Sequence, residues 1–173
     1  MRPKEIDHEK QWKYAQPELE RRFLITPATE LLENLHYKEI TDKYLTGTNL
    51  RLRRIQQAGS MQFKLTKKLP VALKGRTVQW VSTIYLNEEE YRIFENLPGD
   101  KITKKRYHLP LGSGQEAGID EITLGNEQLW ILEIEFNEDE SLEISLPFAE
   151  VREITNDERY FGSELAKNYN RKF

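Results

Sequence analysis

The sequence predicts an α+β fold in which a mainly antiparallel sheet of about eight strands is accompanied by three or four short helices. Runs of β-branched, aromatic and aliphatic residues with alternating polarity recur along the chain. Most of these runs are joined by turns too short for the crossover that parallel strands need. Apolar residues at helical spacing are confined to short stretches between the runs. Together these observations favour one sheet with helices packed beside it.

The bulk composition limits the function classes. The chain has 173 residues, 26 basic and 29 acidic, with a net charge of −3 and no cysteine. A nucleic-acid or membrane-surface protein would show a basic excess, and without cysteine there are no disulfides, thiolate zinc sites or cysteine nucleophiles. No stretch approaches the roughly 20 apolar residues of a membrane helix. We expect a cytoplasmic protein with an arm over residues 1–17 and a single domain over residues 18–173.

The first half of the chain predicts a strand, a helix and a hairpin. Alternation places the first strand from Glu18 to Ile25, and Thr26-Pro27 begins a helix that ends near residue 36 or 37. The strand signal resumes at Tyr44. Residues 50–65 alternate around the turn Ala58-Gly59-Ser60, which predicts a hairpin. Residues 68–76, with Pro70 and Gly75, are predicted to form a loop.

The second half predicts further short strands with helices between them. Asn87 is a typical N-cap residue for a helix that Pro98-Gly99 ends. Gly125-Asn126 predicts a tight turn within a second hairpin. The predicted strands are 78–86, 102–109, 116–124, 129–136 and 151–155, and the predicted helices are 88–97, 137–142 and 162–169.

The predicted strands carry charges on one face. Side chains alternate across a strand, so a spacing of two residues points a pair the same way. Glu18, Glu20 and Arg22 share a face on the first strand, and Arg51 with Arg53 and Glu133 with Glu135 repeat this spacing. If the sheet closes on itself, such charges can face inwards only where the lumen holds water or a ligand. Charges facing outwards around an apolar barrel are the alternative, and periodicity does not separate the two.

The order of these segments resembles a known family. Glu18-Leu19-Glu20-Arg21-Arg22 is similar to the Glu-x-Glu-x-Lys opening strand of the CYTH superfamily, the triphosphate tunnel metalloenzymes. The later segments, in order, resemble its Arg-x-Arg strand, its strand with one inward lysine, its Lys-x-Arg strand and its late Glu-x-Glu strand. These segments are Leu50-Arg51-Leu52-Arg53, Phe63-Lys64-Leu65-Thr66, Thr103-Lys104-Lys105-Arg106 and Leu132-Glu133-Ile134-Glu135. The resemblance extends from about Pro17 to Asn168, and Thr83-Ile84-Tyr85-Leu86 with Leu97-Pro98-Gly99 is similar to a bacterial branch of the superfamily.

The resemblance implies an eight-stranded antiparallel β-barrel, a tunnel with a charged lumen and short helices packed outside. It implies that four glutamates form the catalytic metal site for Mg²⁺ or Mn²⁺, and that seven basic residues contact a triphosphate. The glutamates are Glu18, Glu20, Glu133 and Glu135; the basic residues are Arg22, Arg51, Arg53, Lys64, Lys104, Arg106 and, more weakly, Arg152. Arg152 shares the closing strand with Glu153, another weak candidate, and Asp120 is a candidate for holding the metal or orienting a base.

The activity implied is hydrolysis of inorganic tripolyphosphate or a related small triphosphate by water. Two alternatives stay open: conversion of ATP to cyclic AMP and pyrophosphate, as in class IV adenylate cyclases, and a binding module without turnover. Thiamine triphosphate is a further substrate candidate, a homodimer is left open, and neither nucleic acid nor membrane is expected as a partner. The chain departs from the family pattern at Arg22, where the motif has lysine, and at Gln79–Thr83, which lacks a Glu-x-Glu found in many members.

Overall fold

The computed structural model describes residues 14–73, 76–112, 114–136 and 146–171. Nine strands fall within these ranges. They are β1 (Gln16–Ile25), β2 (Tyr37–Leu45), β3 (Leu50–Gln57), β4 (Ser60–Leu73), β5 (Arg76–Leu86), β6 (Gly99–Gly112), β7 (Gln115–Leu124), β8 (Glu127–Phe136) and β9 (Val151–Glu153).

The described helices are short. They are α1 (Thr29–Glu33), α2 (Glu88–Glu95), a 3₁₀ turn (Glu158–Tyr160) and α3 (Gly162–Arg171). Helix α2 begins with a capping box, in which the Asn87 side chain accepts from the Glu90 backbone N–H and the Glu90 side chain accepts from the Asn87 backbone N–H. None of the described helices has the length and apolar character needed to cross a lipid bilayer.

Eight of the strands close into an antiparallel barrel. The order is β5-β4-β3-β2-β6-β7-β8-β1, and β1 returns to pair with β5. The first residues of β1 pair with β5, from Gln16 opposite Val81 to Glu18 opposite Gln79. The other edge of β1 pairs with β8, and β9 adds a short ninth strand beside the end of β1. The predicted eight-stranded antiparallel barrel is therefore confirmed.

Two apolar clusters cover the outside of the barrel. One lies under α1 and includes Phe23, Ile119, Leu132 and Ile134, all at most 4% exposed. The other joins Leu45, Leu52 and Leu65 of neighbouring strands to Tyr91 of α2. Burying these side chains outside the barrel stabilises the sheet at roughly 25 cal/mol per Å² of apolar area. Because neighbours along a strand point to opposite faces, the residues between them point into the lumen.

A third cluster closes one end of the lumen. Ile102, Ile122 and Ile131 lie on the inward faces of β6, β7 and β8, and they pack against Leu165 and Ala166 of α3. All five side chains are at most 4% exposed. The C-terminal helix thus forms an apolar floor, and the charged part of the lumen lies above it.

The main differences from the sequence prediction lie in the first half of the chain. Strand β2 begins at Tyr37, seven residues before the predicted start of the strand signal. Residues 68–73 and 76 belong to the long hairpin of β4 and β5, paired as far as Leu73 opposite Arg76, so the loop prediction was wrong. Helix α1 is shorter than predicted. The predicted helix at 137–142 and most of the predicted N-terminal arm lie outside the described residues.

Candidate functional site

The inward faces of the strands bring most of the predicted charges into one lumen. Cross-strand register places Glu20 opposite Glu135 and Arg22 opposite Glu133 on the β1–β8 wall. On the facing walls, Asp42, Arg53 and Lys64 are aligned across three strands. The register also aligns Lys38 with Arg106, and Arg106 with Asp120.

Glu133 joins the acidic wall to the basic side chains. Its carboxylate accepts from Arg22 Nε at 3.2 Å and also from Arg106 Nη2. Burial by itself would raise the pKa of Glu133, but the positive charges of Arg106, Lys104 and Arg22 hold it well below its usual range. Glu133 is therefore an ionised carboxylate with its charge balanced by bases.

Glu20 has the opposite environment. Among the described residues, the one base within 4.0 Å of its carboxylate is Arg22, whose Nε lies 4.0 Å away, beyond hydrogen-bond distance. Burial raises the pKa of Glu20, and the charges of Glu133 and Glu18 raise it further, while Lys68 and Arg22 offset only part of the rise. A carboxylate crowded by like charges favours any cation that can enter beside it.

Glu18 is held by a base that the sequence analysis did not select. Lys68 Nζ of β4 contacts Glu18 Oε2 of β1, with β5 lying between these two strands. Lys68 lies two residues from Thr66 and four from Lys64, so alternation alone would have placed it on the inward face. Because residues 68–76 were predicted to form a loop, Lys68 was not assigned to the face of a strand.

Asp120 fixes two of the predicted phosphate ligands. It is 1% exposed and accepts from Lys104 Nζ at 2.5 Å and from Arg106 Nε and Nη2 at 2.6 Å each. Gly118, also inward on β7, makes room for this arginine: a Cβ there would lie 3.1 Å from Arg106 Cδ. Asp120 thus orients basic residues, one of the two roles predicted for it.

Asp42 of β2 does the same for the Arg-x-Arg strand. It is 1% exposed and accepts from Arg53 Nε at 2.6 Å and from Arg53 Nη2 at 2.7 Å. Arg51 Nε lies 3.8 Å from the same carboxylate. Burial would raise the pKa of Asp42, but Arg53 and Arg51 outweigh it and hold the pKa far below its usual value. The sequence prediction missed Asp42 because it started this strand at Tyr44, whereas β2 begins at Tyr37.

Three cationic groups in the lumen are left without a carboxylate within hydrogen-bond distance among the described residues. Arg51 Nε is buried and has no hydrogen-bond partner. Lys64 Nζ lies over the Tyr85 ring, 4.8 Å from its centroid. Lys38 faces Arg106 across the strand pair; burial lowers its pKa, and the charges of Arg106 and Arg53 lower it further. These groups give the lumen positive charge that an anionic ligand would neutralise.

The carboxylates of the predicted metal site fit a divalent cation by chemistry. Glu18, Glu20, Glu133 and Glu135 share one face of adjacent strands and supply hard oxygen ligands. Within the described ranges, however, no three acidic or histidine side chains approach closely enough to hold an ion as they stand. Glu18 and Glu133 bind bases instead.

Two predicted residues lie apart from the rest. Arg152 on β9 is exposed and donates to the Tyr160 hydroxyl at 2.7 Å. Its neighbour Glu153 pairs with Arg21 on the outside of the barrel. Glu135 has the inward register of Glu20 but is exposed near the open end. Of the thirteen residues named as site candidates, the structure therefore brings eleven to the inward faces of the barrel, and Arg152 and Glu153 lie apart.

Comparison with known proteins gives similarity to solved structures. No family model and no curated protein matches the chain. The inorganic triphosphatase NE1496 is 25% identical, covers 86% of this chain and 93% of its own, and has a TM-score of 0.53. A second structure of NE1496, described as a hypothetical protein, is 27% identical over 86% and 97% of the two chains, with a TM-score of 0.54. PH1819 from Pyrococcus horikoshii OT3 shares the fold at 17% identity, 70% and 80% coverage, and a TM-score of 0.50.

Proposed function

We propose that this chain, which has the tunnel fold of CYTH-type proteins as the sequence resemblance predicted, is a divalent-metal-dependent triphosphatase. Its reaction is the hydrolysis of inorganic tripolyphosphate or a related small triphosphate in the lumen. The observation that carries the proposal is the buried set of bases around Asp42 and Asp120, which faces four carboxylates across one lumen. The similarity to an inorganic triphosphatase along most of both chains supports the same activity.

The charge of the lumen differs from that of the whole protein. The chain carries a net charge of −3, yet the inward faces of β2, β3 and β4 carry five bases and a single acid. The bases are Lys38, Arg51, Arg53, Lys64 and Lys68, and the acid is Asp42. A triphosphate carries several negative charges on a short chain, and guanidinium groups match phosphate oxygens in geometry as well as charge. A polyanion of this size therefore suits these walls.

The metal would be held on the opposite wall by Glu18, Glu20, Glu133 and Glu135. A bound Mg²⁺ or Mn²⁺ supplies Lewis-acid polarisation of phosphate oxygens and neutralises their charge. The raised pKa of Glu20 supports this placement, because its carboxylate lies among like charges without a hydrogen-bonded base.

The side chains of the opposite walls bind and position the substrate. Lys104, Arg106, Arg51, Arg53 and Lys64 would hold the phosphate oxygens, and in phosphoryl transfer such positioning and charge neutralisation supply most of the catalysis. Water attacks a terminal phosphorus, the P–O bond to the bridging oxygen breaks, and phosphate and pyrophosphate leave. Arg22 cannot accept the proton of that water, because a guanidinium stays protonated.

The test compares two neighbouring lysines. The protein is incubated with tripolyphosphate, ATP or thiamine triphosphate and Mg²⁺ or Mn²⁺, and phosphate, pyrophosphate and cyclic AMP are measured. Lys104 points into the lumen, whereas Lys105 points outwards to Glu121. We expect phosphate from tripolyphosphate, a large loss of activity in Lys104→Met and little change in Lys105→Met.

Other results would replace the proposal. Cyclic AMP and pyrophosphate from ATP would identify a cyclase. A raised melting temperature with tripolyphosphate but no product would identify a binding module. Equal activity in the two lysine variants would contradict the lumen as the site. The single domain over 18–173, a cytoplasmic location and the homodimer stay predictions.

A further inference from the structure

A buried aspartate with two arginines beside it has no assigned role in the proposed reaction. Asp42 lies on the inward face of β2 and is 1% exposed, so it cannot itself contact much of a bound substrate. It engages Arg53 through Nε at 2.6 Å and Nη2 at 2.7 Å, which is the side-on bidentate geometry of a carboxylate with a guanidinium.

The side-on contact determines what Arg53 offers to a ligand. A guanidinium has five N–H donors in a rigid plane. Asp42 takes the Nε donor and one Nη2 donor of Arg53, so both Nη1 donors and the second Nη2 donor stay available on the outer edge. Arg51 is left in a different state, since its Nε is buried, 3.8 Å from Asp42 and without a hydrogen bond.

The charge of Asp42 opposes what a site for a polyanion needs. A negative side chain among Arg51, Arg53 and Lys64 reduces the attraction for phosphate, and burying an ion pair is by itself weak evidence for stability. Its presence is explained if a fixed orientation of Arg53 contributes more to phosphate binding than the lost attraction. The same side-on contact recurs between Asp120 and Arg106 on the next walls.

We propose that Asp42 is a positioning residue for tripolyphosphate binding: it holds Arg53 by the Nε edge so that the outer edge of its guanidinium faces the phosphate chain. This inference rests on the proposed function for the identity of the ligand. It differs from a structural role, because the contribution of Asp42 to binding would require Arg53.

A double-mutant cycle tests this dependence on Arg53. The dissociation constant for tripolyphosphate is measured by calorimetry with a metal chelator present, in the wild type, Asp42→Asn, Arg53→Gln and the double variant. Asn keeps the shape of Asp, but its amide N–H₂ replaces one of the two acceptor oxygens and faces an Arg53 donor. Losing an oriented charge-assisted hydrogen bond weakens binding about 10- to 100-fold. We expect this loss in Asp42→Asn and in Arg53→Gln, and no further loss when the two are combined.

Arg54→Gln is the matched control, since Arg54 follows Arg53 and points to the outer face, where it reaches Thr41. Its dissociation constant should equal that of the wild type. The inference is overturned if the losses of the two single variants multiply in the double variant, or if folded Asp42→Asn binds as the wild type does. If Asp42→Asn does not fold, the dissociation constant of the double variant is compared with that of Arg53→Gln. Equal constants support the inference, and about tenfold weaker binding by the double variant overturns it.

Hydrolysis is measured separately on the same samples. If the wild type binds tripolyphosphate tightly but releases no phosphate, the proposed hydrolysis is refuted. The role of Asp42 is then decided by the dissociation constants of the double-mutant cycle alone. A wild type that does not bind tripolyphosphate overturns both.

Discussion

Two glutamates of the candidate metal site should affect stability in opposite directions. Glu133 is 16% exposed in its side chain and accepts from Arg22 and Arg106, whereas Glu20 is 22% exposed and its nearest basic atom is 4.0 Å away. Glu20 also lies directly opposite Glu135. We predict that Glu133→Gln destabilises the metal-free protein and that Glu20→Gln stabilises it, although both lower hydrolysis.

The signs follow from the pKa shifts. The pKa of Glu133 is depressed, so its ionised form adds stability above the pKa of the unfolded chain, and this stability is lost as the pH falls through the folded value. The pKa of Glu20 is raised, so the proton favours the folded state. This contribution to stability is lost as the pH rises from the pKa of Glu20 in the unfolded chain through its raised pKa in the folded protein. At neutral pH, ionised Glu20 therefore lowers stability.

The magnitudes come from the contacts. Removing one partner from a buried ion pair costs about 3–5 kcal/mol. At about 2–4 °C per kcal/mol for a chain of this length, Glu133→Gln should lower the melting temperature by about 6–20 °C. Like charges directly opposite on neighbouring strands cost about 0.2–1 kcal/mol. Glu20→Gln should therefore raise the melting temperature by up to about 4 °C.

The assay is thermal unfolding at pH 7 with a chelator present, followed by tripolyphosphate hydrolysis with Mg²⁺. Glu89→Gln, on the exposed first turn of α2, is the control and should change neither result. The pH profile adds a second check, because the gain in Glu20→Gln should vanish in acid. If both lumen variants lose stability equally, the assignment of Glu20 as the carboxylate without a paired base is refuted.

Three further predictions concern the lumen and its floor. Gly118→Ala should raise the KM for tripolyphosphate, because the new Cβ would lie 3.1 Å from Arg106 Cδ and displace that side chain from Asp120; steady-state kinetics showing an unchanged KM would contradict it. Leu165→Ala should cost about 2–5 kcal/mol in unfolding free energy, because Leu165 is 4% exposed in the floor of the lumen, whereas Leu97→Ala, at 45% exposure, should cost far less in the same denaturant titration. The KM for tripolyphosphate should rise steeply between about 0.1 and 1 M salt, where the Debye length falls from about 10 Å to about 3 Å; a KM independent of salt would argue against binding by the basic walls.

Most of the site could be predicted from the alternation of side chains along each strand. Once Glu18–Glu20–Arg22 and Glu133–Glu135 lie on neighbouring strands, the period of two forces their side chains to one face. The sequence did not show whether that face points into the barrel or out to solvent. It follows from the closed barrel, in which Leu52 and Ile134 pack outwards and leave the charges between them to the lumen.

The residues that were missed share one cause. Asp42 and Lys38 lie on β2, whose start at Tyr37 is masked by the charged residues between its apolar ones. Lys68 lies where Pro70 predicted a loop, yet the hairpin pairs Pro70 with Gln79. Pairing across the sheet outweighed the local signal in both strands. Two of the missed groups are partners of predicted ones, since Asp42 binds Arg53 and Lys68 binds Glu18. A set of charges of one sign on an inward face is therefore a reason to search nearby strands for the other sign.

The arrangement of charge around the lumen also fixes how a bound triphosphate would be oriented. Carboxylates concentrate on the β1–β8 wall, and Arg51, Arg53 and Lys64 concentrate on the β3–β4 walls. Arg106 connects the two sides because it binds both Asp120 and Glu133. A phosphate chain bound along the basic walls would thus present its opposite side to the carboxylates, where a metal ion would have oxygens from both. We expect hydrolysis at such a site to depend on glutamates that the bases do not neutralise completely. Asp42 binds Arg53, and Asp120 shares Arg106 with Glu133.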